Sequence, residues 1–356
     1  MGLKILCINP GSTSTRLAVF EDEERIFITN IAHTNDQLEK YSGVQRQLDY
    51  RLQLIGETLQ EQGIDVSAMN AVVGRGGALR PMEGGIFEVN DKMLEDCRTS
   101  RYAEHPSNLG CQLAKIFADR FSLPCYVVDP PLVDEFEDTA RNSGFLPIKR
   151  VSAFHALNEK IVARYMAEKL GKEIEQTNLI TVHLGSGISV TAQKKGKCVD
   201  NTYGSGGDGP FSPERAGRMP ILELLKFMDA GTRDSQKDWK KFFIKQAGLV
   251  SYLGTNDVLE ISGRMEAGDA VAKEALEGMA YMIAKEIGAY ASIMNWEVDA
   301  IGLTGAIARS SFITRFIEEH VKFIAPVILY PGEFEMEGLA GGGIRALTGM
   351  EQVKTY

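Results

Sequence analysis

Residues 3–8 and 17–20 are apolar runs, and between them lies the polar stretch Asn9-Pro10-Gly11-Ser12-Thr13-Ser14-Thr15-Arg16. Short apolar runs bounded by Gly, Pro and hydroxyl residues read as buried strands joined by a turn, so the chain opens on a hairpin. A charged turn at 21–24 and a third extended stretch at 25–29 follow. The pattern then returns: an apolar run at 178–184, the turn Gly185-Ser186-Gly187, a second run at 188–192, a charged turn at 193–197 and an extended stretch at 198–202. The chain therefore reads as internally duplicated, with one glycine-and-hydroxyl hairpin in each half.

Between the two copies, residues 37–63 are polar with recurring Leu and predict a helix. Residues 71–74 form a short buried strand ending in Arg75-Gly76-Gly77. A helix, a strand at 124–128 and the turn Asp129-Pro130-Pro131 complete an alternation of β and α suited to a mixed sheet with flanking helices. The second half opens with a helix at 156–170 and, after its hairpins, has a Gly/Pro-rich stretch at 203–220 without periodicity. Such long loops are functional or disordered, and the charges at Asp208 and in Pro213-Glu214-Arg215 favour function. Met279, Met282, Ile283, Ile287, Tyr290 and Met294 fall at helical spacing and read as a core stripe, leading into a strand at 300–303. A length of 356 residues suits two domains. The fold class is α/β, with domains at 1–150 and 151–337, a junction near 147–152, and a C-terminal helix at 338–356 completing the first.

Composition narrows the partners. With 44% hydrophobic residues both halves can bury real cores, while a net charge of −9 and a pI near 5.3 argue against nucleic acid, which needs a basic face. No run approaches the ~18 apolar residues of a membrane span. The first apolar run is cut short by Asn9-Pro10, and Leu6 stands where N-myristoylation needs Ser or Thr. The five cysteines are scattered without a Cys-x-x-Cys pair, so cytoplasm is the expected compartment.

The chemistry is concentrated in the turns. A hairpin closed by Gly and hydroxyl residues can present backbone N–H groups to phosphate oxygens, and two such hairpins facing one another could grip a nucleotide from both sides. Neither is a P-loop, which needs a strand-to-helix GxxxxGK[ST] pattern. A third glycine turn, Leu303-Thr304-Gly305-Ala306-Ile307, follows a buried strand and opens a helix toward Arg309; in company with the hairpins it reads as an adenosine site. Of five histidines, His105, His155 and His183 border turns or strand ends, while His33 and His320 read as surface residues. Their spacing forms no metal motif. Arg75 and Arg215 sit in Gly- or Pro-bounded loops where a guanidinium fork can hold carboxylate or phosphate. Asp129, ending an apolar strand, either orients an arginine or caps the next turn.

Taken together, residues 8–15, Gly74-Arg75-Gly76-Gly77, Glu104-His105-Pro106-Ser107-Asn108-Leu109-Gly110, Val127-Val128-Asp129-Pro130, Phe154-His155-Ala156-Leu157-Asn158, His183-Leu184-Gly185-Ser186-Gly187-Ile188-Ser189 and Asp208-Gly209-Pro210-Phe211-Ser212-Pro213-Glu214-Arg215 resemble the butyrate kinases of the acetate kinase family. The resemblance runs from residue 4 to Tyr330-Pro331-Gly332. It implies the actin, Hsp70 and sugar-kinase (ribonuclease H-like) fold of two related α/β domains, ATP/ADP in their cleft with Mg²⁺, closure during turnover, a small carboxylate as the other substrate, and a homodimer or a multiple of dimers.

On that resemblance, Asn9 and Glu335, or the neighbouring Glu333, position Mg²⁺. Arg75 and Arg215 hold the acid and the moving phosphoryl group, His155 stabilises that group in flight, and Asp129 orients an arginine or the metal shell. Gly11, Ser12, Ser14, Arg16, His183, Gly185 and Gly187 line the phosphate path, and Gly305 with Ala306 the adenosine. Two positions depart from the family's usual pattern: Arg16 stands for Lys, and Ala306 for a second Gly. The implied reaction is reversible phosphorylation of a short-chain fatty acid, butyrate or a branched relative, to an acyl phosphate by direct in-line transfer. Alternatives are acetate or propionate as the acid, a sugar or polyol kinase with Asp129 as its base, and an ATP-driven switch of the Hsp70 or actin type.

Overall fold

The computed structural model describes residues 2–204, 207–231 and 238–356. Ser205 and Gly206, part of the 203–220 stretch, lie outside the described residues. Contacts divide the chain into Met1–Val133 with Phe334–Tyr356, and Asp134–Glu333. Residues 134–150 thus group with the second unit, where the sequence reading placed them in the first.

In the first unit the sheet runs Val353–Thr355, Ile86–Glu88, Cys125–Val128, Ala71–Arg75, Lys4–Pro10, Ser14–Glu21, Glu24–Ala32. In the second it runs Lys197–Asn201, Ile188–Lys194, Asn178–Leu184, Ala300–Gly305, Val327–Pro331. The two share a plan. Three antiparallel strands joined by tight turns come first in sequence, and two later strands are added in parallel beside the first of them. Parallel addition needs a helical crossover, and Asn108–Arg120 in the first unit and Ser311–Val321 in the second provide one each. The duplication read from the hairpins therefore extends through each unit's sheet.

Two predicted elements differ. The helix expected over 37–63 is Leu48–Glu61, preceded by the short turns Asn35–Leu38 and Val44–Gln47, because Gly43 adopts φ 98° and breaks the run. The C-terminal helix starts at Glu335 and stops at Thr348, where Gly349 caps it at φ 71°, and the chain then pairs as strand Val353–Thr355. His33, expected at the surface, is 4% exposed, because the third strand turns it back beneath the first hairpin. His320 is exposed as read.

Each unit has its own apolar core. In the second, the expected stripe Met279, Ile283, Ile287, Tyr290 and Met294 packs within the helix Ala270–Ile293 and its end against Val182, Val190 and Leu303; Met282 falls outside that cluster. In the first, strand Ala71–Arg75 and helix Asn108–Arg120 approach until Gly74 and Gly110 leave no room for a side chain. A Cβ on Gly74 would lie 2.8 Å from that of Ala114, and one on Gly110 would meet the carbonyl of Arg75. This contact sets where Arg75 emerges. Gly110→Ala must therefore move backbone, and the expected cost is the upper end of overpacking, ~3 kcal/mol. A lowered urea midpoint would show it; an unchanged midpoint would contradict the close approach.

Candidate active site

The first hairpin ends its strand at Asn9 and Pro10 and closes through a Gly11 N–H to Ser14 carbonyl bond of 2.7 Å. A Cβ on Gly11 would only touch the Ser14 carbonyl at 3.5 Å, so its bareness leaves the turn open from outside rather than meeting a backbone need. Ser12 and Thr13 are exposed, Ser14 half-buried, and Arg16 sits in register opposite Asn9. What holds this turn is a residue the motif reading missed. Arg51, wholly buried, donates Nη1 to the Thr15 hydroxyl (2.9 Å) and the Ser14 carbonyl (3.2 Å), and Nε and Nη2 to Gln47. Burial pushes its guanidinium down to about 10. His33 Nε2 lies 2.9 Å from the same hydroxyl, and burial followed by the charge of Arg51 pushes the imidazole down to about 4.

Beside this turn, Arg75, Glu335 and Asn9 come together from three elements. Glu335, at the first turn of the C-terminal helix, pairs with Arg75 and accepts from Asn9 Nδ2 at 2.7 Å. Arg75 keeps its Nε buried without a partner, so its fork is not fully used within the chain. His105 lies nearby; burial and then the charge of Arg75 lower its pKa, and its Nδ1 accepts from the Ser107 backbone at 3.2 Å. Asp129, at φ 38°, accepts the Gly85 N–H at 2.7 Å, a bond to a turn 44 residues before it and not to the turn that follows it.

In the second unit, His155 caps the helix Ala156–Lys169 and its ring stacks on His183, with centroids 3.8 Å apart and 16° between planes. Asn158 Nδ2 donates to His183 Nδ1 at 3.0 Å and to the Thr304 hydroxyl at 3.2 Å, which itself donates to the Gly332 carbonyl. An amide nitrogen only donates, so neutral His183 carries its proton on Nε2. A Cβ on Gly185 would lie 2.7 Å from that Nε2, and one on Gly187 would strike the Arg215 guanidinium. Both glycines thus clear space for the charged and polar groups beside them. Gly305, at φ 91°, admits no side chain because Leu184 backbone lies against it. The helix expected to open directly from that turn is instead a 3₁₀ turn, Ala306–Arg309, followed by the helix Ser311–Val321.

The stretch 203–220 carries no helix or strand among the described residues, yet it is pinned. Arg215 Nη1 donates to the Gly204 carbonyl at 2.5 Å and the Ser212 hydroxyl to the Ser186 carbonyl at 2.6 Å, tying this loop to the glycine turn. Asp208 is held by Arg150 at 2.9 Å and Arg218 at 3.2 Å, so its charge anchors the loop. Burial lowers the pKa of Arg215, and its Nε too is buried without a partner. Next to this turn a cavity of about 510 Å³ opens, walled by Val258, Met265, Ile307 and Phe312 and edged by Gly185 and Ala306. That volume suits a small organic ligand. Among the described residues no group of three or more His, Cys, Asp and Glu forms a metal cage, and no helix is long and apolar enough to cross a membrane.

A family model described as the acetokinase family matches residues 145–327. A probable butyrate kinase of Listeria monocytogenes serotype 4b is 44% identical over 356 residues, covering 100% of both chains. Among solved structures, acetate kinase of Porphyromonas gingivalis aligns with TM-score 0.77 at 18% identity, over 97% of this chain and 100% of that one. A propionate kinase of Francisella tularensis aligns with TM-score 0.69 at 19% identity, over 96% and 98%.

The support beneath the first hairpin has a pH signature. His33 titrates near 4 when folded and near 6.5 when unfolded, so its neutral form contributes stability above pH 6.5 that is lost as pH falls toward 4. Buried Glu159, pushed up to about 7, acts with the opposite sign, so the readout is a comparison with His33→Gln. From pH 7 to 5 the parent should lose about 2 kcal/mol relative to that variant in urea unfolding. Equal losses would contradict a neutral, buried His33.

Proposed function

The chain belongs to the acetokinase family, and from that premise we propose that it transfers the γ-phosphoryl group of ATP to the carboxylate of a short-chain fatty acid, butyrate or a branched relative, reversibly. It is a carboxylate kinase. The observation that carries the site is the second unit's glycine turn. It borders the ligand-sized cavity on one side, and Arg215 and the stacked His155 and His183 on the other. A nucleotide has this shape, with a flat apolar base, then phosphates.

A fatty acid titrates like a glutamate side chain, near ~4.3, and is ionised at pH 7, so the acceptor needs no general base. The difficulty is bringing two anions together. Groups of fixed positive charge and preorganised donors answer it: they screen the acceptor from the triphosphate and stabilise charge on the equatorial oxygens during transfer. We assign Arg75 and Arg215 to the acid and the phosphoryl group, His155 to the phosphoryl group in flight, and Asp129 to a supporting role. Asn9, Gly11, Ser12, Ser14, Arg16, His183, Gly185 and Gly187 go to the phosphates, and Gly305 with Ala306 to the nucleoside.

The residues fit Mg²⁺ brought by the nucleotide rather than caged by the protein. Magnesium keeps waters and phosphate oxygens and takes only one or two carboxylates; Glu335 supplies one carboxylate, with the Asn9 amide bonded to it. They would hold the ion, which supplies further neutralisation of the phosphates. The same reading carries a cytoplasmic homo-oligomer. Its supports are five buried free cysteines and the exposed apolar side chains Ile221, Leu222, Leu225 and Phe227 of the helix Ile221–Gly231.

Incubation with ATP, Mg²⁺, hydroxylamine and a C2 to C6 acid series tests the assignment. A hydroxamate strongest with butyrate or a branched acid is expected; phosphorylation of sugars without any hydroxamate would overturn it. Arg75→Ala and Arg215→Ala should each lower kcat ~10²-fold or more, as losing one preorganised donor does, while circular dichroism stays native. Near-normal turnover in both would refute their roles.

A further inference from the structure

Below the stacked imidazoles lies a chain of hydrogen bonds that the phosphoryl-transfer reading does not use. Glu159, wholly buried on the helix Ala156–Lys169, accepts the Ser189 hydroxyl at 2.5 Å through Oε1 and the Thr181 hydroxyl at 2.8 Å through Oε2. Ser189 Oγ in turn lies 2.7 Å from His155 Nδ1. With Glu159 ionised, the hydroxyl hydrogen points to its carboxylate and the hydroxyl oxygen accepts from Nδ1, which then carries a proton. His183 is an unsuitable home for positive charge, because Asn158 donates to its Nδ1. Two stacked imidazolium rings would also repel strongly in a buried setting.

We propose that Glu159 is a positioning residue which, through the Ser189 hydroxyl, keeps His155 protonated on Nδ1 and cationic, so that it meets the phosphoryl group as a charged donor. This rests on the assignment of His155 to that group. Other titratable groups around the chain are accounted for. Cys198, which feels the charge of Glu159, is a buried thiol with its pKa raised, and Lys160 is paired with Glu135 at 3.0 Å. Arg215 is bound to the Gly204 carbonyl, and a Cβ on Gly204 would lie 3.5 Å from the His155 ring. The first unit offers an internal contrast. There Thr15, at the matching position of its hairpin and also wholly buried, joins His33 to Arg51. The buried charge has the opposite sign, and burial together with it drives His33 down to about 4. Burial raises Glu159 to about 7 against its hydrogen bonds, so a nearby cation is what a buried carboxylate needs.

Titrating the full-length ¹⁵N-histidine-labelled protein by NMR, with His155 assigned through His155→Gln, tests this. In Glu159→Gln the amide can donate to Ser189, reversing the chain and removing the proton from Nδ1. The His155 midpoint should fall by about one pH unit or more, with His33 unmoved. Turnover at pH 7 should fall ~10-fold, with KM for ATP and acid little changed and the loss deepening at alkaline pH. Ser189→Ala removes a single hydroxyl and should shift His155 in the same direction, which keeps the test open if the glutamine variant does not fold. A purely structural role would lower Tm and leave the His155 titration where it was; an unshifted midpoint in Ser189→Ala overturns the proposal. A shifted midpoint combined with full activity of His155→Gln would uphold the relay and sink the assignment of His155 to the phosphoryl group.

Discussion

Repulsion between a carboxylate and a triphosphate is the constraint that organises this protein. Neither reactant needs a proton removed, so the chain must supply charge at fixed places and keep it from being neutralised by its own carboxylates. Of the two proposed arginines Arg215 meets that need by geometry, while Arg75 keeps only its Nε out of an ion pair. Arg75 is paired with Glu335 yet retains a buried, unpartnered Nε, and Arg215 is held by a backbone carbonyl instead of an acid, with its Nε also unpartnered. Glycines make these placements possible: Gly110 under the backbone of Arg75, and Gly187 under the guanidinium of Arg215. The catalytic charge thus depends on close backbone packing as much as on the charged residues themselves.

Duplication provided two similar hairpins, and buried charge of opposite sign made them different. In each, a wholly buried hydroxyl just after the turn, Thr15 or Ser189, bonds a histidine and one charged side chain. Arg51 in the first unit favours a neutral histidine that acts as structure. Glu159 in the second is proposed to favour a protonated one beside the glycine turn. On that proposal one architectural unit serves as a support in one copy and as a source of charge in the other, and the differing charge lies behind the hairpins, away from the turns that carry the recognisable motif.

The repeat of apolar run, glycine turn and apolar run was legible because short buried strands impose it locally, and it led to the three antiparallel strands that open each sheet, but not to strands Ile86–Glu88, Val327–Pro331 and Val353–Thr355. The association of Asn9 with Glu335 was legible only through family resemblance, since 326 residues separate them. Gly43 disrupted the reading of 37–63, because a polar segment with recurring Leu conceals a single residue at positive φ. The supporting residues were harder still. Arg51 and Glu159 look like surface charges in helices, as charged helical residues usually are, and burial is a property of the partner strand. A trace was present in Ser189, Thr191 and Gln193, polar at every second position of a strand whose intervening Val190 and Ala192 are apolar. All five of these residues are buried, so the polar row faced a buried polar partner rather than water.

The central claim is that catalysis here is charge neutralisation around a phosphoryl group that moves once, directly from nucleotide to acid. Its most direct test is the stereochemical course at phosphorus, using ATP made chiral at the γ-position with oxygen isotopes and analysing the acyl phosphate formed. A single in-line transfer predicts inversion of configuration. Net retention would require a phosphorylated side chain as an intermediate, and would contradict an account in which arginines and histidines stabilise the moving group without ever bonding to it.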